Sequence, residues 1–229
     1  MKVSIIIPAY NEAATISQVL QAVCDATFPD TEKEIIVIND GSQDATGIIA
    51  ESFITYGIRV IHFETNQGKG AAIRHGISLA TGDAVVIQDA DLEYDPRDIG
   101  ALLATMKDTK ALAVYGVRHF QPTGRGYPLY VLGNSLINAW CNLLYKTNLR
   151  DIYTCYKLVD RVALQSLPLT SNGFAIEAEI TGHLLQKQIT IHETPIHYHP
   201  RSFVAGKKIR LVDGLLGAIT LLQVRIRKA

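Results

Sequence analysis

Asp89-Ala90-Asp91 directly follows a short apolar run, AVVIQ at 84–88, that reads as a buried strand. Side chains of an extended chain alternate faces, so Asp89 and Asp91 point the same way and Glu93 continues that face. Like carboxylates side by side repel unless a cation lies between them. Hard divalent ions such as Mg2+ or Mn2+ take oxygen ligands, often one or two carboxylates together with substrate phosphates. A solvated loop is the plain alternative reading of such a pair. Its place at a strand end raises the cation reading to equal weight.

Two other strand ends carry polar groups. VSIIIP (3–8) runs into Ala9-Tyr10-Asn11-Glu12, and EIIVI (34–38) runs into Asn39-Asp40-Gly41-Ser42. Asp, Gly and Ser suit a turn, and Asp40 can equally accept hydrogen bonds from a base or ribose. Asn66-Gln67-Gly68-Lys69-Gly70 does not fit the phosphate-loop spacing, and no G-x-G-x-x-G fingerprint follows a strand. Lys69 nevertheless stands at the start of a helical pattern, where an anion is favoured.

Positioning these residues requires an alternation of strands and helices. Apolar runs predict strands at 3–8, 34–38, 58–63, 84–88 and 111–117, and helical spacing predicts helices at 12–26, 44–56, 70–80 and 96–107. That rhythm implies a mostly parallel sheet with helices on both faces, in which ligands bind beyond the carboxyl ends of the strands. After residue 118 the rhythm changes. Helices are expected at 129–146, 174–186 and 209–227, and strands at 151–158, 189–193 and 196–198, the last two broken by Pro195. A Pro/Gly-rich loop is expected at 119–128 and a basic loop at 200–208.

Taken together, PAYNE (8–12), NDGSQDAT (39–46), NQGKGAA (66–72), GISLATGD (76–83) and DADLEYDP (89–96) resemble the family 2 inverting glycosyltransferases of the GT-A fold, and within them the dolichol-phosphate mannose synthase branch. The resemblance implies that Pro8, Tyr10, Glu12, Ile38 and Asp40 hold the nucleotide base and ribose. It implies that Asp89, Ala90 and Asp91 line the nucleotide and diphosphate, and that Asp91 and Glu93 coordinate Mg2+ or Mn2+. Asp151–Lys157 resembles a segment lining the acceptor side. Arg201 and Lys207, in the basic loop, would touch the diphosphate, and Arg118 would face an acceptor phosphate. The implied reaction moves a hexose from GDP-mannose or UDP-glucose to a polyprenyl phosphate. A phosphate acceptor needs positioning cations and no base. A hydroxyl acceptor on a lipid or saccharide is the alternative, with Asp151 as its base. A non-catalytic nucleotide-sugar binder is a third reading, disfavoured by the acidic set at 89–93.

The 229 residues, 48% of them hydrophobic, suffice for one large domain, and no disorder is expected. The 22 basic and 22 acidic residues balance, which argues against general nucleic-acid binding. The balance conceals a split: residues 1–117 carry 8 Lys+Arg against 16 Asp+Glu, a net of −8, and residues 118–229 carry 14 against 6, a net of +8. One domain is expected, with a donor- and cation-holding half at 1–117 and an acceptor-side half at 118–229. Cys24, Cys141 and Cys155 have no paired spacing, which suggests a reducing, cytoplasmic setting. Residues 126–145 are uncharged, but Asn134, Asn138 and Asn142 recur every fourth residue. This reads as an amphipathic helix with a wet or ligand-facing side, not as a span. Val212, Leu215, Leu216, Ile219 and Leu222 follow helical spacing beside Arg210, Arg225, Arg227 and Lys228, as in a helix lying on a membrane surface. Packing on the domain and a dimer contact are the alternatives. His192, His197 and His199 lack the spacing of a metal site, and Trp140, among leucines, reads as core.

Overall fold

Apolar strands buried on both faces build the centre of the molecule. The structure, a computed structural model, describes residues 1–119, 127–201 and 211–227. Seven strands form one sheet: β1 (Lys2–Ala9), β2 (Glu32–Asn39), β3 (Arg59–His62), β4 (Ala84–Ile87), β5 (Ala113–Arg118), β6 (Lys157–Asp160) and β7 (Ile191–Ile196). Their order is β3-β2-β1-β4-β6-β5-β7. β1 pairs in parallel with β2 and β4, β2 with β3, and β5 with β7, while β6 runs antiparallel between β4 and β5. The carboxyl ends of β1, β2, β4, β5 and β7 therefore share one edge, and the residues entering β6 arrive at that same edge. In β1 the side chains of Val3, Ile5, Ile6 and Ile7 are fully buried, and all of β4 is buried. Such runs are the signature of strands covered by helices on both faces.

The helices are α1 (Ile16–Asp25), α2 (Thr46–Glu51), α3 (Lys69–Leu79), α4 (Ile99–Thr109), α5 (Tyr127–Tyr145), α6 (Arg161–Gln165), α7 (Ile176–Gln186) and α8 (Leu211–Ile226). α3 packs on β1 and β2, and α4 packs on β5 and β7. α5, α7 and α8 enclose a second apolar cluster of Ile137, Cys141, Leu149, Ile152, Ala178 and Leu221. None of the helices described is long and apolar enough to cross a membrane.

Several expectations are corrected. Residues 151–156 are irregular, and the strand begins only at Lys157. β7 runs unbroken through Pro195 because it is an edge strand, where a missing backbone N–H costs no ladder bond. α1 starts at Ile16, not residue 12, and the helix expected at 96–107 opens as a 3₁₀ turn at Pro96–Asp98. The asparagine face of α5 is turned to a cavity at Asn134 and to the main chain at Asn138 and Asn142. Asn138 and Asn142 donate to the carbonyls of Arg150 and Leu149 at 2.5 and 2.9 Å and accept from the N–H groups of Ile152 and Leu149 at 3.0 and 2.9 Å. Asn134 donates to Asp151 at 3.4 Å. These amides replace the ladder bonds that residues 149–152 lack by being irregular.

Glu34 ties β2 to its neighbours. It accepts from the Ser4 hydroxyl and from the N–H and hydroxyl of Thr81, at 2.8 and 2.7 Å for the latter two. Burial pushes its pKa up, but these hydrogen bonds and Lys2 outweigh it and draw the value down to about 2. A carboxylate depressed in the folded state stabilises it above the unfolded value, and that contribution disappears as pH falls from about 4.5 to about 2. Glu34→Gln is expected to lower stability at neutral pH by about 2 kcal/mol and to flatten the acid limb of a urea-denaturation series over that window.

Candidate active site

A cavity of about 790 Å³ opens at the shared carboxyl edge. Its lining includes Pro8 near the end of β1, Tyr10 and Glu12 after β1, Asp40 after β2, Lys69 at the start of α3, Asp89, Ala90, Asp91 and Glu93 after β4, Arg118 at the end of β5, and Arg201 beyond β7. Ile38 is absent from this set: it is fully buried in β2, inside the hydrophobic core. Asp151 is also buried and off the lining, and Lys207 lies outside the described residues.

The acidic motif departs from the expected geometry. The strand stops at Ile87, and Leu92 adopts a left-handed φ of 62°, so the alternation of faces ends before Asp91. Asp91 accepts the N–H of Glu93 at 3.1 Å, closing a tight turn. Each acid is held by neighbouring donors. Asp89 pairs with Lys69 at 2.8 Å. Asp91 accepts from the Arg201 guanidinium at 2.8 Å. Glu93 accepts from the Tyr198 hydroxyl at 2.6 Å and from the Arg201 N–H at 2.8 Å.

Arg201 was expected at the diphosphate. Here its guanidinium also reaches Glu12, at 3.1 and 3.4 Å, and stands 3.9 Å from Glu93. Its Nε is buried without a hydrogen-bond partner. Burial, then the charges of Asp89 and Glu93, raise the Asp91 pKa to about 7, with Arg201 opposing them.

Asp40 does not offer its oxygens only to a ligand. They accept the N–H groups of Gln67 and Gly68 at 2.7 and 2.9 Å, which holds the loop before α3. Gly68 has φ 98°, and a side chain there would strike the carbonyl of Asn172. Gly70 donates its N–H to the same carbonyl at 2.6 Å. The Gly-Lys-Gly turn is thus a dock for the segment leading into α7, and this dock places Lys69 between Asp89 and Glu177.

Arg118 and Asp151 form a two-toothed pair, at 2.7 and 2.8 Å, joined by the Arg118 N–H at 3.2 Å. Arg118 also lies over the Tyr198 ring at 5.1 Å. Burial works against the guanidinium's charge, but Asp151 outweighs it and holds the pKa well above the usual value. An aspartate bound in this way on both oxygens is a poor general base.

Residues 4–167 match the family described as Glycosyl transferase family 2. The chain belongs to that family. Dolichyl-phosphate beta-glucosyltransferase of Saccharomyces cerevisiae is 30% identical over 252 residues, covering 97% of this chain and 74% of that protein. An uncharacterised protein of Methanocaldococcus jannaschii is 29% identical over 221 residues, 89% of this chain and 93% of that one. Glycosyltransferase AglD of Haloferax volcanii is 26% identical, and this chain spans 36% of its length. Glucosyl-3-phosphoglycerate synthase of Mycobacterium tuberculosis, solved with Mn2+, UDP and phosphoglyceric acid, superposes with a TM-score of 0.76 at 22% identity, over 100% of this chain and 80% of that one. The fold of this glycosyltransferase is accordingly GT-A.

The family 2 glycosyltransferase has cavity residues that sequence reasoning missed. Glu177 on α7 is the most telling, because it pairs with both Lys69 and the fully buried Lys157. Its signal was present in FAIEAEI (174–180), an acid embedded among apolar residues at core spacing. Trp140, read as core, is half-buried: it lines the cavity and donates to the Ala218 carbonyl at 3.1 Å.

In the glycosyltransferase, Asp151→Asn is expected to replace a buried charge pair by an unbalanced arginine. The expected loss is about 3 kcal/mol in chemical denaturation. Asp40→Asn should cost about 1–2 kcal/mol, because one amide face cannot accept.

Proposed function

We propose that this glycosyltransferase moves a hexose, with inversion, from a nucleoside diphosphate sugar to a polyprenyl phosphate. The carrying observation is the two-sided character of the cavity. One end is polar, with Asp40, Asp89, Asp91 and Glu93 among cationic groups. The wall contributed by α5 and α8 is apolar, with Leu136, Ile137, Trp140, Leu215 and Ala218. An acceptor with an anionic head and a hydrocarbon tail matches that division. The relative acting on dolichyl phosphate supports the acceptor class, and the neighbour solved with Mn2+ and UDP-glucose supports the donor class.

In this reading residues 1–117 hold the donor and residues 118–229 the acceptor. Pro8, Tyr10, Glu12 and Asp40 border the nucleoside, and Asp89 and Ala90 border the diphosphate. Arg118, fixed by Asp151, faces the acceptor phosphate. Because both Asp151 oxygens are engaged, the phosphate acceptor is favoured over a hydroxyl that needs a base. Holding donor and acceptor in line adds the proximity contribution.

Asp91 and Glu93 are hard oxygen donors that fit Mg2+ or Mn2+, which commonly take one or two carboxylates plus substrate phosphates. Among the described residues no group of three His, Cys, Asp or Glu is arranged to hold a metal ion, and Arg201 lies between these carboxylates. Asp91 and Glu93 would hold the cation once Arg201 turns to the diphosphate. A bound cation supplies charge neutralisation for the departing diphosphate.

Val212, Leu215, Leu216 and Ile219 on α8 and Leu132, Leu136 and Leu143 on α5 are exposed. We propose that this face rests on a membrane surface, where a lipid acceptor resides. Flotation with anionic liposomes is expected to carry the protein upward, and a Leu215→Glu/Leu216→Glu pair to leave it at the bottom.

Asp91→Ala is expected to lower transfer of radiolabelled hexose to polyprenyl phosphate by about 100-fold or more and to abolish its Mn2+ or Mg2+ dependence. Unchanged turnover and cation dependence would overturn the proposal, and labelling of hydroxyl acceptors alone would favour the alternative acceptor.

A further inference from the structure

Away from the acidic motif, a chain of hydrogen bonds runs behind the turn that carries Asp40. Asn39, the last residue of β2, lies beside His62, the last residue of β3, in the parallel register of the two strands. Asn39 is 6% exposed, and its Nδ2 stands 2.9 Å from His62 Nδ1. The other half of the amide decides which partner donates. Asn39 Oδ1 accepts the Ser42 N–H at 3.2 Å, so the amide turns its NH2 to the imidazole. Nδ1 is therefore the acceptor, and the proton of the ring sits on Nε2, 3.3 Å from Glu51 Oε1. Gly47, on α2, leaves room for this pair: a Cβ there would come within 2.7 Å of Asn39 Nδ2 and 3.3 Å of the His62 ring.

The chain continues toward the cavity. Ser42, held by Asn39, accepts the Asn11 N–H on its hydroxyl at 3.0 Å, and the Asn11 side chain accepts the Gln43 N–H at 2.9 Å. Asn11 has a left-handed φ of 49° and separates Tyr10 from Glu12. The two loops that bring Tyr10, Glu12 and Asp40 to the cavity are thus fastened to each other through Ser42, which Asn39 holds. A buried amide needs partners for its NH2 as well as for its oxygen. Without an acceptor at Nδ1 the Asn39 amide loses what fixes its orientation, and turning it over would set its NH2 against the Ser42 N–H.

We propose that His62 is a positioning residue for donor binding: its Nδ1 orients the Asn39 amide and, through Asn39 and Ser42, the loops that border the nucleoside. This rests on the reading of the cavity as a nucleotide-sugar site. His62, Asn39 and Ser42 do not line the cavity, so they act on a ligand only through their neighbours. A binding group is held only as well as the contacts that lock it, and a small displacement caused from a distance still carries a large cost.

Substitutions that differ in where they place an acceptor separate positioning from space filling. UDP and GDP are titrated calorimetrically into the wild-type protein and three variants. In His62→Asn the side-chain oxygen takes the place of Nδ1 and accepts from Asn39. In His62→Gln it falls near the place of Nε2, and His62→Phe keeps the ring shape and accepts nothing. Affinity for whichever diphosphate the wild type binds is expected to be kept in His62→Asn and to fall about ten-fold in His62→Gln and His62→Phe. In turnover the latter two should raise the donor KM and leave the acceptor KM unchanged. Equal affinity in all three variants, whether kept or lost, would overturn the assignment, as would a parallel rise in acceptor KM. An independent variant leaves the histidine in place. Gly47→Ala is favourable to a helix by propensity, yet it presses on the Asn39 amide and is expected to weaken the same diphosphate about ten-fold. Unchanged binding in that variant would overturn the inference. Wild-type protein that binds neither UDP nor GDP would instead overturn the nucleotide-sugar reading itself.

Discussion

The parallel strands β1, β2 and β4 end at one edge and bring the carboxylates that follow them to one place, and like charges so gathered must be neutralised. The polar end of the cavity answers to that constraint. Lys69 bridges Asp89 and Glu177, Arg201 spans Glu12 and Asp91, and Arg118 grips Asp151. Asp91 shows what remains when burial and the charges of Asp89 and Glu93 outweigh Arg201, with its pKa raised to about 7. The edge is therefore held together by cations that a phosphorylated ligand can recruit, since an arginine pairs with phosphate by the same forked geometry that it uses on carboxylate.

This arrangement divides the labour between the halves of the chain. The acidic half supplies the carboxylates after β1, β2 and β4, and much of the compensating charge arrives from the basic half, through Arg118, Lys157 and Arg201. The opposite net charges of residues 1–117 and 118–229 therefore meet in part at this edge.

Much of this was legible in the amino-acid sequence because it follows from short-range rules. The apolar runs placed β1 to β5 within two residues, though β7 was read as two pieces, and the residues just beyond these strands were bound to share an edge. What escaped depended on contacts distant in sequence. Ile38 was assigned to the nucleotide by motif position, yet its side chain enters the core, since motif matching does not say which face a strand residue presents. The alternation rule failed because the strand stops at Ile87, and the left-handed Leu92 then turns the chain between Asp91 and Glu93. The asparagines of α5 were read as a wet or ligand-facing side, as Asn134 is at the cavity, but nothing local indicated that residues 149–152 would fold beside Asn138 and Asn142. Glu177 was overlooked because its partners Lys69 and Lys157 lie 108 and 20 positions upstream, a separation that no window on the sequence spans.

Asn138 and Asn142 address the main chain of residues 149–152, not its side chains. A tether of this kind is indifferent to side-chain identity. Arg150 can be exchanged over evolutionary time while Leu149 and Ile152 stay buried in the second apolar cluster and the strip keeps its seat, so the rim beside Asp151 can vary at that position without rebuilding the scaffold beneath it.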